Sequence, residues 1–255
     1  MRRSALCFLL LLSLVGCRTS QPPVTVPNYV PAVLALGPPQ VSFIPIGDSL
    51  ADDSAMAALV APYRDQLKSR VNEVIGTAEA PFEKGQPEAP LGNLAADAML
   101  ADVQQWVDRR VDLALTNNGG LRIPLNAGIV TVGLIYELMP FDNMLSVLDM
   151  TGVQVDSLAQ QVARLGGEPI AGFSFVIDGS QATDIRVAGA PLDPARTYRL
   201  VTSDYLANGG GNMPALWSPA GRQDLGVLLR DTYIRHIQAM GTIRPSVDGR
   251  IRQNE

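Results

Sequence analysis

The chain has 255 residues, 47% of them apolar, and a formal net charge of −5, enough to bury one substantial core or two joined ones. Its only lysines are Lys68 and Lys84, and no basic stripe marks a nucleic-acid backbone as a partner. With His236 as the single histidine, a hydrolytic centre built on several imidazoles is excluded within this chain, and no Asp-rich loop has calcium-hand spacing.

Residues 1–16 read as a targeting segment, with Arg2 and Arg3 followed by an apolar run from Ala5 to Val15 that is too short to span a bilayer. Leu14-Val15-Gly16-Cys17 matches the lipobox of bacterial lipoproteins, in which Cys17 becomes the lipidated first residue; an ordinary secretory signal with a chance cysteine is the alternative. Cys7 would then leave with the signal, so no free thiol or disulfide is expected in the mature chain. This places the mature chain in the bacterial cell envelope, lipid-anchored on the periplasmic side. Arg18 replaces the aspartate that favours inner-membrane retention, which points to the outer membrane. Residues 17–50 are Pro-rich and suit an extended tether, with an edge strand over Val41–Ile46, and residues 51–255 form the folded domain.

Ser54 can cap a first helix, running to about Ile75, whose apolar positions Met56, Val60, Tyr63, Leu67, Val71 and Val74 follow the helical period. A second helix spans Leu91–Trp106, with Leu91, Ala95, Met99, Val103 and Trp106 on one face. The buried strand Val111–Leu115 then runs into Asn117-Asn118-Gly119-Gly120, where glycine permits a tight turn and delivers Arg122. A short helix over Thr131–Leu138 ends near Pro140-Phe141-Asp142-Asn143, and Met144–Met150 reads as a strand.

Thr151-Gly152 open an amphipathic helix with Val155, Leu158, Ala159, Val162 and Leu165 inward, and Gly166-Gly167 close it. Strands follow over Phe173–Ile177, Asp184–Val187 and Tyr198–Ser203, with Asp178-Gly179 as a hairpin turn and Tyr205 at the end of the last strand. A final helix covers Asp224–Gln238. Irregular alternation of helices and strands, with hairpins beside longer crossovers, predicts an α+β fold of layered mixed sheets and helices.

Several of these segments, in order, resemble the C-terminal domain of bacterial and animal 5′-nucleotidases, a family that includes periplasmic UDP-sugar hydrolases. The resemblance runs from about Asp52 to Arg252. It rests on Leu91-Gly92-Asn93-Leu94, Val111–Leu115 into Asn117-Asn118-Gly119-Gly120-Leu121-Arg122, and Pro140-Phe141-Asp142-Asn143. Thr151-Gly152, Pro191-Leu192-Asp193-Pro194, Tyr198-Arg199 and Tyr205-Leu206-Ala207-Asn208-Gly209-Gly210 complete it.

In that family a separate N-terminal metallophosphatase domain supplies two metals and the hydrolytic chemistry, while this domain grips base and sugar. The helix from Ser54 to Ile75 resembles the interdomain helix. The resemblance therefore implies no catalytic residue, metal ligand or cofactor in this chain, with a dinuclear metal expected only in a separate metallophosphatase partner. It further implies a nucleotide, nucleoside or nucleotide-sugar ligand stacked between Phe141 and Tyr205, with Asn143 on a base edge, Asn117 on base or sugar, and Arg122 on a phosphate or ribose oxygen.

Two departures are visible. Gly211 stands where the family has an acid that holds ribose hydroxyls, and Gln86-Pro87-Glu88-Ala89-Pro90 lacks the family's arginines. Each candidate also has a plainer reading: Phe141 and Tyr205 as packing residues, Asn117 as a turn support, and Arg122 as a surface residue or the partner of Asp142. His236 reads as a surface or interface residue, and Asp204 as a carboxylate without a catalytic partner. The competing functions are a structural or interaction lipoprotein with a degenerate pocket, and autonomous hydrolysis with a carboxylate-held metal.

Overall fold

The computed structural model describes residues 51–254, and the signal segment, Cys17, the tether and the strand expected over Val41–Ile46 lie outside the described residues. In chain order the elements are α1 (Ser54–Val71), β1 (Val74–Ala78), α2 (Pro90–Val103), β2 (Leu113–Leu115), β3 (Gly128–Thr131), α3 (Val132–Leu138), β4 (Met144–Thr151) and α4 (Gly152–Arg164). There follow β5 (Ile170–Ala171), β6 (Phe173–Asp178), β7 (Gln181–Val187), β8 (Ala190–Pro191), β9 (Thr197–Ser203), α5 (Asp204–Ala207), β10 (Gly221–Leu228), α6 (Leu229–Met240), β11 (Thr242–Ile243) and β12 (Ile251–Gln253).

A five-stranded sheet, ordered β10-β4-β9-β2-β5, lies between two apolar cores. Its residues alternate with period two, as strands covered on both faces require. Ala114, Leu145, Val147 and Val201 enter one core with α2, α3 and α6, whereas Leu113, Leu115, Leu148, Met150 and Leu200 enter the other with α4 and β6. Burying each of these leucines contributes about 1.5–3 kcal/mol. Within this sheet β2 runs parallel to β9 and the other pairs are antiparallel. The smaller sheets are β11-β1-β3 and β12-β6-β7-β8, so the architecture is the layered α+β arrangement that the pattern predicts.

Local chemistry explains the element ends. Thr151 and Gln154 form a capping box: the Thr151 hydroxyl accepts from Gln154 N at 3.3 Å, and Gln154 Oε1 accepts from Thr151 N at 2.9 Å. Gly152 is required there because a Cβ would fall 2.1 Å from the Asp193 carbonyl oxygen. Along the edge of β7, the Gln160 carboxamide engages both Ala182 N and Ala182 O, at 2.9 and 2.8 Å. In the last turn of α2, the buried Asp102 carboxylate accepts from Arg235, Trp106 and Thr232.

Four expectations are corrected. The first helix is capped by Asp53 rather than Ser54, stops at Val71 because Val74–Ala78 pairs into a sheet, and buries none of its apolar positions. The second helix ends at Val103, so Trp106 lies beyond it, partly exposed, with Nε1 donating to Asp102 at 3.2 Å. Leu165 caps α4 and is 45% exposed rather than inward. Finally, residues 221–228 are a strand on β4, and α6 starts only at Leu229.

Candidate functional site

At the end of β2 the chain makes one short 3-10 turn, Asn118–Gly120, closed by Gly120 N donating to Asn117 O at 3.0 Å. Three neighbours brace it. Asn118 N donates to the Glu168 carboxylate at 2.6 Å, Lys84 Nζ donates to Leu121 O, and Arg122 N donates to Leu138 O at 2.8 Å. Burial raises the Glu168 pKa above the ordinary carboxylate range, against the opposing pull of Asn118 and Lys84. The two glycines leave room for the Asn117 carboxamide, whose atoms lie 3.3 Å from a Cβ built on Gly119 and 3.2 Å from one built on Gly120.

Opposite the turn, Pro140–Asn143 links α3 to β4. Phe141 is 41% exposed, with the Arg122 guanidinium carbon 5.9 Å from its ring centroid. Arg122 also donates to Gly119 O at 3.2 Å. Asp142 pairs with Arg230 at 2.9 Å, so the alternative of an Arg122–Asp142 pair is not realised. Asn143 is fixed through its backbone, its carbonyl accepting from Leu229 N at 2.9 Å.

Tyr205 belongs to the first turn of α5 rather than to the end of β9. Ser203 caps that turn by accepting from Leu206 N at 3.2 Å, and the Asp204 carboxylate accepts from Met144 N at 3.0 Å, joining α5 to β4. The tyrosine ring lies against Gly210, where a Cβ would fall 2.4 Å from Cζ and 2.5 and 2.6 Å from the two Cε atoms. Its hydroxyl accepts from Gly211 N at 3.3 Å. Gly211 itself has φ 67°, and a side chain there would meet Leu206 at 2.8 Å, so this backbone suits glycine and holds no acid.

These pieces enclose one cleft of about 350 Å³, lined by Asn117, Gly119, Gly120, Arg122, Phe141, Asn143 and Tyr205. Every binding residue expected from the sequence therefore lines the same cavity. Among the described residues, neither the Asn117 nor the Asn143 carboxamide has a side-chain hydrogen bond, which leaves donors and acceptors of both for a ligand. A wider depression of about 420 Å³ beside α4 and β7 is shallow and has no aromatic lining.

His236 is half-buried on α6 beside Leu91, Ala95 and Tyr233, and burial lowers its pKa. Among the described residues no group of three or more His, Cys, Asp or Glu side chains is placed to hold a metal ion. Sequence reasoning overlooked Glu168, Lys84 and Arg230, which hold the cleft's two walls; they act on backbone groups distant in sequence, and no motif carries that signal.

Fold and cleft together define a layered α+β domain with an aromatic, amide-lined cavity. The family model described as 5′-nucleotidase, C-terminal domain, matches residues 74–217, and the chain belongs to that family. It is 27% identical over 204 residues to Protein UshA of Escherichia coli (strain K12), covering 78% of this chain and 37% of that protein. Over 236 residues it is 26% identical to the trifunctional nucleotide phosphoesterase protein YfkN of Bacillus subtilis (strain 168), covering 84% of this chain and 16% of the relative. The chain thus spans well under half the length of these relatives. Among solved structures, a 5′-nucleotidase precursor from Thermus thermophilus is similar with a TM-score of 0.69 and 28% identity, over 78% of this chain and 43% of the other.

Proposed function

We propose that this domain recognises nucleotides or nucleosides, by clasping the planar base between Phe141 and Tyr205. The observation that carries this reading is the placement of two partly exposed rings, one guanidinium and two carboxamides unpaired among the described residues on a single cleft. Ring stacking contributes about 1–3 kcal/mol per base and tolerates different bases. Asn117 and Asn143 then read polar edges, and Arg122 meets a phosphate or ribose oxygen through its planar guanidinium. The names of the relatives, which speak of nucleotide phosphoesterases and 5′-nucleotidases, support the ligand class and a place in nucleotide breakdown.

Hydrolysis is assigned in this reading to a separate metallophosphatase, with this chain orienting the substrate. Cys17 is the lipid anchor that keeps the domain in the cell envelope on the periplasmic side, at the outer membrane. The degenerate-pocket alternative has one observation in its favour, Gly211, whose backbone accepts no acidic side chain without a shift.

Titration with AMP, UMP, adenosine and UDP-glucose, followed by intrinsic fluorescence and melting temperature, tests recognition; no response to any of them refutes it. Purified chain is expected to release no phosphate from AMP. Chelator-sensitive release would instead establish autonomous, carboxylate-held metal catalysis. Cys17→Ser is expected to move the protein from the membrane to the soluble fraction, and unchanged partitioning refutes the anchor.

A further inference from the structure

We infer that Arg230 is the positioning residue that fixes Phe141 as a wall of the cleft, an inference that rests on the recognition reading above. Arg230 lies in the first turn of α6 with its side chain 7% exposed. A cation is disfavoured at that end of a helix, where the backbone presents unpaired N–H groups, and burial adds a desolvation cost. Its Nε also has no hydrogen-bond partner among the described residues. Such a placement calls for compensating contacts, and the hydrogen bonds that the guanidinium makes among the described residues converge on one short loop.

Nη1 donates to Met139 O at 3.3 Å and to Phe141 O at 3.2 Å, while Nη2 donates to Asp142 Oδ1 at 2.9 Å. The guanidinium carbon lies 4.0 Å from the Tyr136 ring centroid, so α3 covers the face of the same group. The neighbouring Leu229 N takes the Asn143 carbonyl at 2.9 Å. One planar cation thus fixes the backbone on either side of Pro140 and the side chain after Phe141. Phe141 itself is 41% exposed, so core packing alone does not immobilise it. Arg230 does not line the cleft and acts only through this loop.

Lysine keeps the charge but offers a compact ammonium in place of the planar, multiply donating group. Arg230→Lys is therefore expected to weaken adenosine binding about tenfold. Amide hydrogen exchange across Met139–Asn143 should rise with it, by a similar factor. Asp142→Asn removes a single, exposed anchor and serves as the variant whose folding is not at risk; it should weaken binding about twofold. A double-mutant cycle separates positioning from general stabilisation: in a Phe141→Leu background, Arg230→Lys should change adenosine affinity by less than about twofold. A purely structural role would lower the melting temperature while leaving the two losses additive. Additive losses, or unchanged exchange in the loop, overturn this inference alone. A wild-type chain that binds neither adenosine nor AMP overturns the recognition reading, and this inference with it.

Discussion

Gly210→Ala tests the aromatic clasp without touching either ring. A methyl group on Gly210 would stand 2.4 Å from Tyr205 Cζ, with both Cε atoms at 2.5 and 2.6 Å. Carbon atoms settle at about 3.5–4.0 Å, so the ring must withdraw by roughly 1 Å or more, away from Gly210. The residue's backbone is not in the left-handed region, so alanine is compatible with its conformation and the ring is the part that yields. The Gly211 N–H to Tyr205 hydroxyl bond is lost in the process. Because Tyr205 is 47% exposed, the stability cost should stay below about 1 kcal/mol, a few degrees in melting temperature for a domain of this size. Adenosine affinity, by contrast, should fall by up to the full stacking contribution, about 1–3 kcal/mol or roughly 5- to 150-fold. Calorimetric titration of wild type, Gly210→Ala, Tyr205→Ala and the double variant reads this directly, with the double variant no weaker than Tyr205→Ala. If Gly210→Ala displaces the ring in a crystal structure and still binds adenosine like wild type, the clasp is refuted.

The remaining predictions concern stability. Gly152→Ala forces a methyl group against the Asp193 carbonyl and the Pro194 backbone, which cannot swing aside as a ring can, and should cost about 3 kcal/mol by thermal unfolding. Asp102→Ala leaves Arg235 without its buried partner and should cost about 3 kcal/mol by denaturant titration. Burial penalises the Asp102 carboxylate, but Arg235, Trp106 and Thr232 together outweigh that and hold its pKa below 3.8. Its contribution is therefore present above that pH and lost as pH falls through the lower, folded-state pKa; unfolding curves of wild type and Asp102→Ala should converge in acid. Glu168 behaves oppositely, since burial raises its pKa above 4.5, and stability should decline as pH rises from 4.5 through the folded-state value. Glu168→Gln should flatten that slope, and an unchanged slope would show that Glu168 is not its source.

The parts of the fold that were readable in the sequence are those set by near neighbours. Thr151 and Gln154 are three residues apart and satisfy each other, so the start of α4 is written locally. The Asn-Gly-Gly turn and the strands β4 and β9 are likewise local, and the family resemblance grouped the residues that line the cleft. What escaped depends on distant partners. Arg222, Gln223 and Asp224 are polar residues in a strand because β4 supplies their backbone pairing. Val74–Ala78 continues the helical apolar spacing but is claimed by β3 and β11. Arg230 finds carbonyls 89 and 91 residues earlier, and main-chain acceptors so distant in sequence leave no trace in side-chain patterning.

The Gln160 amide on β7 has a bearing on how copies of this protein coexist. An open strand border is a template on which a second molecule can add its own strand, and stacking of that kind propagates. Here the rung at Ala182 is filled from within by a side chain that imitates a main-chain partner. Asp184, two residues on, adopts φ 48° and breaks the straight run that an incoming chain would need. A second molecule that met this border would find its ladder interrupted at Ala182 and again at Asp184.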